Sequence, residues 1–260
     1  MVLGRCRHRC GFSALSLVVI VAIILFLLAL LIPAVARVRQ AAERTQSVNN
    51  LKQLSIAMHA CNDVYRKLPP IAGKFGAAKV ASTLHFHLLP FVEQDNLYKQ
   101  GLGDYTKACG VSLPVFLDQN DKSAPGHQYQ GFATTNYAGN WMVFKEGEAN
   151  IPQTFLDGTS NTMVFAERYQ VCGEHPCAWG YAALYYWAPM FAYYSHAKFQ
   201  NNPSQAECDP ARPQSIGSDR IQIALGDGSV RSIAHAISPR TWWFACDPAD
   251  GNALGDDFND

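Results

Sequence analysis

Residues 12–32 read FSALSLVVIVAIILFLLALLI, a run with no charge and no glycine whose only hydroxyls are Ser13 and Ser16. At 1.5 Å per residue such a run spans about 30 Å, the thickness of a bilayer's hydrocarbon core. In lipid the backbone must satisfy its own hydrogen bonds, so the run is expected to be a helix. Arg5, Arg7 and Arg9 precede it together with His8, in a leader that contains no acid. A basic block of that kind stays on the cytoplasmic side and sends the following chain outward. A secretory signal peptide has the same order of charge and apolarity, and Ala34-Val35-Ala36 has the look of its cleavage site. Its apolar core is shorter, however, at about 7–15 residues. A retained single-pass anchor is the reading adopted. It puts the N-terminus in the cytoplasm and the bulk of the chain in the periplasm or outside the cell.

Beyond Pro33 the pattern becomes amphipathic. Val48, Leu51, Leu54, Met58, Cys61 and Tyr65 recur at steps of three or four, the period of one helical face. Arg37, Arg39, Glu43, Arg44 and Lys52 occupy much of the remaining surface, and Leu68-Pro69-Pro70 ends the helix. The expected object is one helix of about 50 residues, half in lipid and half laid against a head. The chain divides into a leader over 1–11, an anchor over 12–36, an amphipathic continuation over 37–67 and a β-rich head over 68–260. In the head, residues 136–144, 162–168 and two stretches within 179–195 read as strands. Residues 220–225 and 229–235, joined through Gly226-Asp227-Gly228, read as a hairpin. Residues 90–100 read as a short helix with Pro at its first turn, and Ser238-Pro239 as a capped helix start. The fold class is therefore α+β, a long helix packed on an antiparallel sheet. Lys+Arg and Asp+Glu are both 21 in number, so no basic stripe of the kind nucleic acid requires is present.

Cys6 and Cys10 precede the apolar run; Cys61, Cys109, Cys172, Cys177, Cys208 and Cys246 follow it. An even number in an exported domain reads as disulfides. Cys172 and Cys177 are the one close pair and the expected bridge.

Five clusters could carry chemistry, each with a structural reading beside the functional one. Asp157-Gly158-Thr159-Ser160-Asn161 offers oxygens to a Ca²⁺ ion, or else is a turn whose Asp and Thr bond the local backbone. The acidic tail, with Asp247, Asp250, Asp256, Asp257 and Asp260, is a second Ca²⁺ candidate or a solvated mobile end. Apart from that ion no cofactor is implied. His85 and His87, on a strand, would face one side and serve a metal or acid–base chemistry; exposed or hydrogen-bonded structural histidines are the alternative. Cys172, His175 and Cys177 offer soft ligands but lack the rest of a zinc site. Trp179, Tyr181, Tyr185, Tyr186, Trp187, Phe191, Tyr193 and Tyr194 form an aromatic strip whose inward members pack the core. Its outward members, with Trp179, Tyr186, Trp187 and Tyr194 foremost, would stack on a sugar or a protein. No nucleophile elbow, phosphate loop or zincin helix is present, and no enzyme is inferred. A hydrolase using His85, His87 or His175 is the weakest reading.

A short basic leader, then Gly11-Phe12, then an unbroken apolar helix resembles the type IV pilin and pseudopilin class. The resemblance implies that a prepilin peptidase cuts after Gly11 and methylates the amine of Phe12. It also implies assembly with other pilin-like subunits, and Pro33 falls where many pilins kink. Ser16 stands where the class carries the Glu that pairs with a neighbouring subunit's terminal amine. Removal of the leader would take three Arg with it and leave an excess of three acids. The stretch Arg44-Thr45-Gln46-Ser47-Val48-Asn49-Asn50-Leu51-Lys52-Gln53-Leu54, followed by Leu68-Pro69-Pro70, resembles the planctomycete-type family DUF1559. Leu88-Leu89-Pro90-Phe91-Val92-Glu93-Gln94, Leu97-Tyr98, Thr135-Asn136-Tyr137, Asp157-Gly158-Thr159-Ser160-Asn161-Thr162 and Asp227-Gly228-Ser229-Val230-Arg231 extend the likeness. Relatives often carry His ten residues before the second Asp-Gly, where this chain has Gly217. The family pairs a prepilin-type leader with a β-rich head.

Overall fold

The computed structural model describes the backbone of residues 14–145, 147–183, 185–193 and 197–258; the side chains of 14–16, 33, 34, 36, 37 and 40 lie outside the description. The chain falls into two units, Met1–Arg44 and Thr45–Asp260. Helix α1, Ala14–Tyr65, is 52 residues long and contributes to both. In the first unit its described apolar side chains are uncovered, from Leu17 to Ile32, the latter 71% exposed. Among the described residues no helix is long and apolar enough to cross a membrane. The described side chains of the apolar run extend over 17–32 only, short of the about 20 residues that a bilayer core requires. Arg39 bonds Glu43 one turn on, at 2.8 Å.

In the second unit the same helix buries Leu51, Leu54, Ala57, Met58 and Cys61. Val48 is only half-buried and Tyr65 is 39% exposed, so the apolar stripe is narrower than its period suggests. The buried face also carries Ser47, Asn50, Ser55 and Asn62, which sequence periodicity alone assigns to solvent. The helix stops where Arg66 turns left-handed (φ 55°), ahead of the two prolines.

The ribbon β1 (Ala72–Gly73) with β2 (Ser82–Thr83) leads into α2, Leu84–Leu88, whose first turn is capped by Thr83 accepting from the Phe86 amide. His85 and His87 therefore lie on a helix, not a strand, and project apart. A 3₁₀ turn over Leu89–Val92 holds Pro90 in its first turn. Left-handed Glu93 (φ 63°) separates it from α3, Asp95–Gly103, so the single helix expected over 90–100 is two pieces. A four-residue helix α4, Thr106–Cys109, follows, then the ribbon β3 (Gln128–Tyr129) with β4 (Phe132–Ala133).

Strand β5, Tyr137–Asn140, is shorter than the expected 136–144. Asn140, the last residue of the strand, accepts from the Met142 amide at 2.9 Å, and Trp141–Phe144 becomes the helical turn α5. Strand β6 is Met163–Glu167, and a ribbon of β7 (Val171–Cys172) with β8 (His175–Pro176) comes next. Among the described residues of the aromatic strip only Met190–Phe191 forms a strand, β9. The expected hairpin is present as β10, Arg220–Leu225, and β11, Val230–Ala234. Helix α6, Pro239–Cys246, starts as its sequence predicts, with the Ser238 hydroxyl accepting from the Thr241 amide.

The main sheet runs β11-β10-β6-β5-β9, antiparallel except for the parallel pair β5 and β9. It is thus mixed, not purely antiparallel. Strand β6 is buried at every position because both faces are covered. Leu51, Leu54 and Met58 of α1 pack with Phe144, Val164 and Phe165 on one side. On the other, Trp242, Ala245 and Cys246 of α6 pack with Met163, Ala166, Ile221 and Ile223. Burial on both faces removes the polar alternation that makes a strand recognisable.

Candidate functional site: an aromatic surface on a buried polar frame

Polar residues of the sequence motifs build a frame inside the head. On α1 the Ser47 hydroxyl donates to the carboxylate of Glu167, and the Asn50 amide donates to the Leu117 carbonyl at 2.9 Å and to the Tyr137 hydroxyl at 3.2 Å. Asn136 accepts from the Asp118 amide (2.8 Å) and donates to Asp121 Oδ2 (2.7 Å) and to the Arg168 carbonyl (3.0 Å). Asp121 also accepts from the backbone amides of Gln170 and Ser123. Burial pushes the Asp118 carboxyl above its ordinary range, and nearby Asp121 adds to the effect. These groups are buried and mutually bonded, which suits a frame that sets the helix's register on the sheet.

Arg168 is fully buried and extends the frame to the aromatic strip. Its Nη1 donates to the carbonyls of Ala188 and Met190, both at 3.0 Å, and its Nη2 to that of Tyr186 at 2.8 Å. One side chain so fixes three carbonyls of the segment that presents the rings. Trp179 points inward: it is fully buried, 5.4 Å from the Phe116 ring, and its carbonyl accepts from Thr83 Oγ1. It is not a surface ligand-binding residue. Tyr186 and Trp187 are half-buried at the surface. Tyr194 lies outside the described residues. Tyr181 and Trp187 are in ring contact at 5.2 Å, and two rings absent from the strip join them. Phe132 reaches Tyr181 at 5.4 Å and Tyr129 reaches Trp187 at 5.5 Å. The signal for these partners was the Tyr129-Gln130-Gly131-Phe132 turn, which puts two aromatics across one ribbon.

The close cysteine pair does not bridge. Cys172 is bonded to Cys208, with the Cα atoms 5.4 Å apart. In the β7–β8 ribbon Cys172 faces His175, while Cys177 returns to the level of Gln170, to whose carbonyl its amide donates. That diagonal offset sets Cys177 beyond the directly opposite position, and the Cys172 sulfur is bonded to Cys208 instead. Cys61, Cys109, Cys177 and Cys246 are free. The even count therefore overstates the crosslinking among the described residues. Burial raises the Cys61 thiol to about 12 and the Cys177 thiol to about 11, so both behave as core residues.

The histidines and acids have structural partners. His85 is fully buried against Phe116, and His87 Nε2 lies 3.0 Å from the Gly73 carbonyl. Burial lowers both to about 4, so at neutral pH they are uncharged. Asp157 accepts from the amides of Asp250 (2.7 Å) and Gly251 (2.9 Å), while Gly158 takes φ +102°. Asp257 accepts from the Ser238 amide (2.7 Å) and the Thr241 hydroxyl (2.6 Å). Asp257 is thus pinned to the start of α6, while Asp260 lies outside the described residues. Asp256 lies in the adjoining 3₁₀ turn. Among the described residues no cluster of three His, Cys, Asp or Glu is arranged to hold a metal. Ser16 lies within α1, whereas Gly11 and Phe12 lie outside the described residues.

Residues 36–108 match the family described as Protein of unknown function (DUF1559). That stretch is similar to DUF1559. The DUF1559 match covers Ser47 and Asn50 of the frame together with α2 and α3, and stops short of the aromatic surface. No curated protein and no solved structure matches the chain.

Proposed function

We propose that the chain is a membrane-anchored, pilin-like structural subunit whose head is displayed outside the cytoplasmic membrane. It would act by assembly and display in a type II secretion- or type IV pilus-like structure, and not by turning over a substrate. The observation that supports this reading is the double character of α1. One continuous helix carries uncovered Leu, Val, Ile and Phe side chains over 17–32 and a buried, polar-registered face from Ser47 onward. An uncovered apolar surface of that size requires lipid or other apolar helices around it. Together with the basic leader, this favours insertion with the N-terminus inside. A prepilin peptidase and other pilin-like subunits are the partners that follow.

The test is membrane fractionation combined with mass spectrometry of the mature N-terminus. The expected product sits in the membrane fraction and begins at a methylated Phe12. An intact Met1, or a soluble product cut after Ala36, would overturn the proposal. The half-exposed ring cluster around Trp187 favours a second reading, a tethered binding module that uses its aromatic surface.

A further inference from the structure

We propose that Phe132, Tyr181, Trp187 and Tyr129 form a binding site for a neutral polysaccharide, held by stacking of sugar rings on the aromatic faces. The proposal deepens the binding-module reading and rests on it. The four rings make one chain with centroid separations of 5.4, 5.2 and 5.5 Å, and each ring is half-buried. Two segments far apart in sequence supply them, and each segment is fixed from beneath. The β3–β4 ribbon is closed by its own pairing and by the Thr134 amide donating to the His127 carbonyl at 3.1 Å. The backbone at Tyr186 is tied down by Arg168, and that at Trp187 by the Ala178 amide donating to its carbonyl at 2.8 Å. The Gly180 amide, donating to the Ala133 carbonyl at 3.3 Å, joins one segment to the other. Rings held in advance lose little freedom on binding.

Charge decides the class of ligand. None of the four side chains carries a formal charge at neutral pH, and the ribbon reads Gln128-Tyr129-Gln130-Gly131-Phe132. It offers no cation to a phosphate, sulfate or uronate group. It offers amides and phenols, which suit hydroxyls, between faces that suit the C–H side of a pyranose. Nor does the ribbon contain the Arg and Met that accompany aromatics at protein interfaces. A neutral glycan therefore fits better than a protein partner.

The experiment uses the full chain in detergent micelles, titrated with cellohexaose, xylohexaose, mannohexaose and N-acetylchitohexaose and followed by tryptophan fluorescence and affinity electrophoresis. At least one neutral hexasaccharide is expected to bind, and polygalacturonate is not. Trp187→Ala and Tyr181→Ala are expected to weaken binding by about tenfold or more. Tyr193→Ala, whose ring packs on Trp141, should leave it unchanged. Circular dichroism checks that each variant folds, and if Trp187→Ala does not, Tyr129→Ala carries the test. Binding to none of the neutral sugars, preference for polygalacturonate, or binding indifferent to these substitutions would overturn the proposal. Photo-crosslinking from position 181 in intact cells separates the two levels. Protein crosslinks without sugar binding would remove the glycan and keep a contact surface, whereas neither result would remove both. The mature N-terminus is read independently of this outcome.

Discussion

His85 illustrates how one side chain sets a pH dependence. It has no exposed surface, and burial lowers its pKa from 6.5 to about 4, with a backbone contact to Tyr137 offsetting part of the shift. Below pH 6.5 the unfolded chain takes up a proton that the native chain refuses. Stability contributed by the neutral ring is therefore full above pH 6.5 and falls as pH drops toward about 4. His87 behaves likewise. His85→Phe is expected to flatten the acid limb of a urea-denaturation series between those limits, roughly halving the slope that the two histidines share. Gly180 makes the complementary point about space. A Cβ there would lie 2.0 Å from the backbone oxygen of Cys109, which no rotamer change can relieve. Gly180→Ala should cost about 3 kcal/mol or more in chemical denaturation, because main chain has to move. The sequence announced neither effect: His85 packs on the remote Phe116, and Gly180 meets the remote Cys109.

Elements differ in how openly their sequences declare them. Helix α6 was legible because its cap is local: Ser238, Pro239 and the Thr241 amide lie within four residues. Ser238→Ala should lower stability by about 1 kcal/mol, measurable as a shift in the denaturant midpoint at unchanged slope. The β10–β11 hairpin was legible for the same reason, through its Gly-Asp-Gly turn. Strand β5 was misjudged because Asn140, in mid-pattern, turns its side chain to the Met142 amide and starts a helical turn. His85 and His87 were misplaced because Thr83, a good strand former, serves here as a helix cap. The amphipathic half of α1 was legible in its Leu51, Leu54, Met58 and Cys61 period. Its buried Ser47 and Asn50 were not, since their partners sit on β5, on β6 and at Leu117.

At the scale of the whole head, the disulfide and the polar frame connect segments that are distant in the chain. Cys172 and Cys208 are 36 residues apart, and closing a loop of that length stabilises by about 4 kcal/mol in the chain-entropy account. Cys208→Ser should lower thermal stability by a comparable amount, and the same loss is expected for the native chain under reductant. Peptide mapping checks the pairing, with a Cys172–Cys177 peptide as the contrary result. The sequence by itself determined the long helix, the α+β class, the turn-bounded hairpin, the cap of α6 and the DUF1559 likeness, because each depends on periodicity or on contacts within a few residues. Only the tertiary structure decided which cysteine meets Cys172, which aromatic rings share a surface and where Ser47 and Asn50 find their partners. It also decided that the sheet is covered on both faces. Those outcomes depend on strand register and on which remote segments pack together, and neither is written in local spacing.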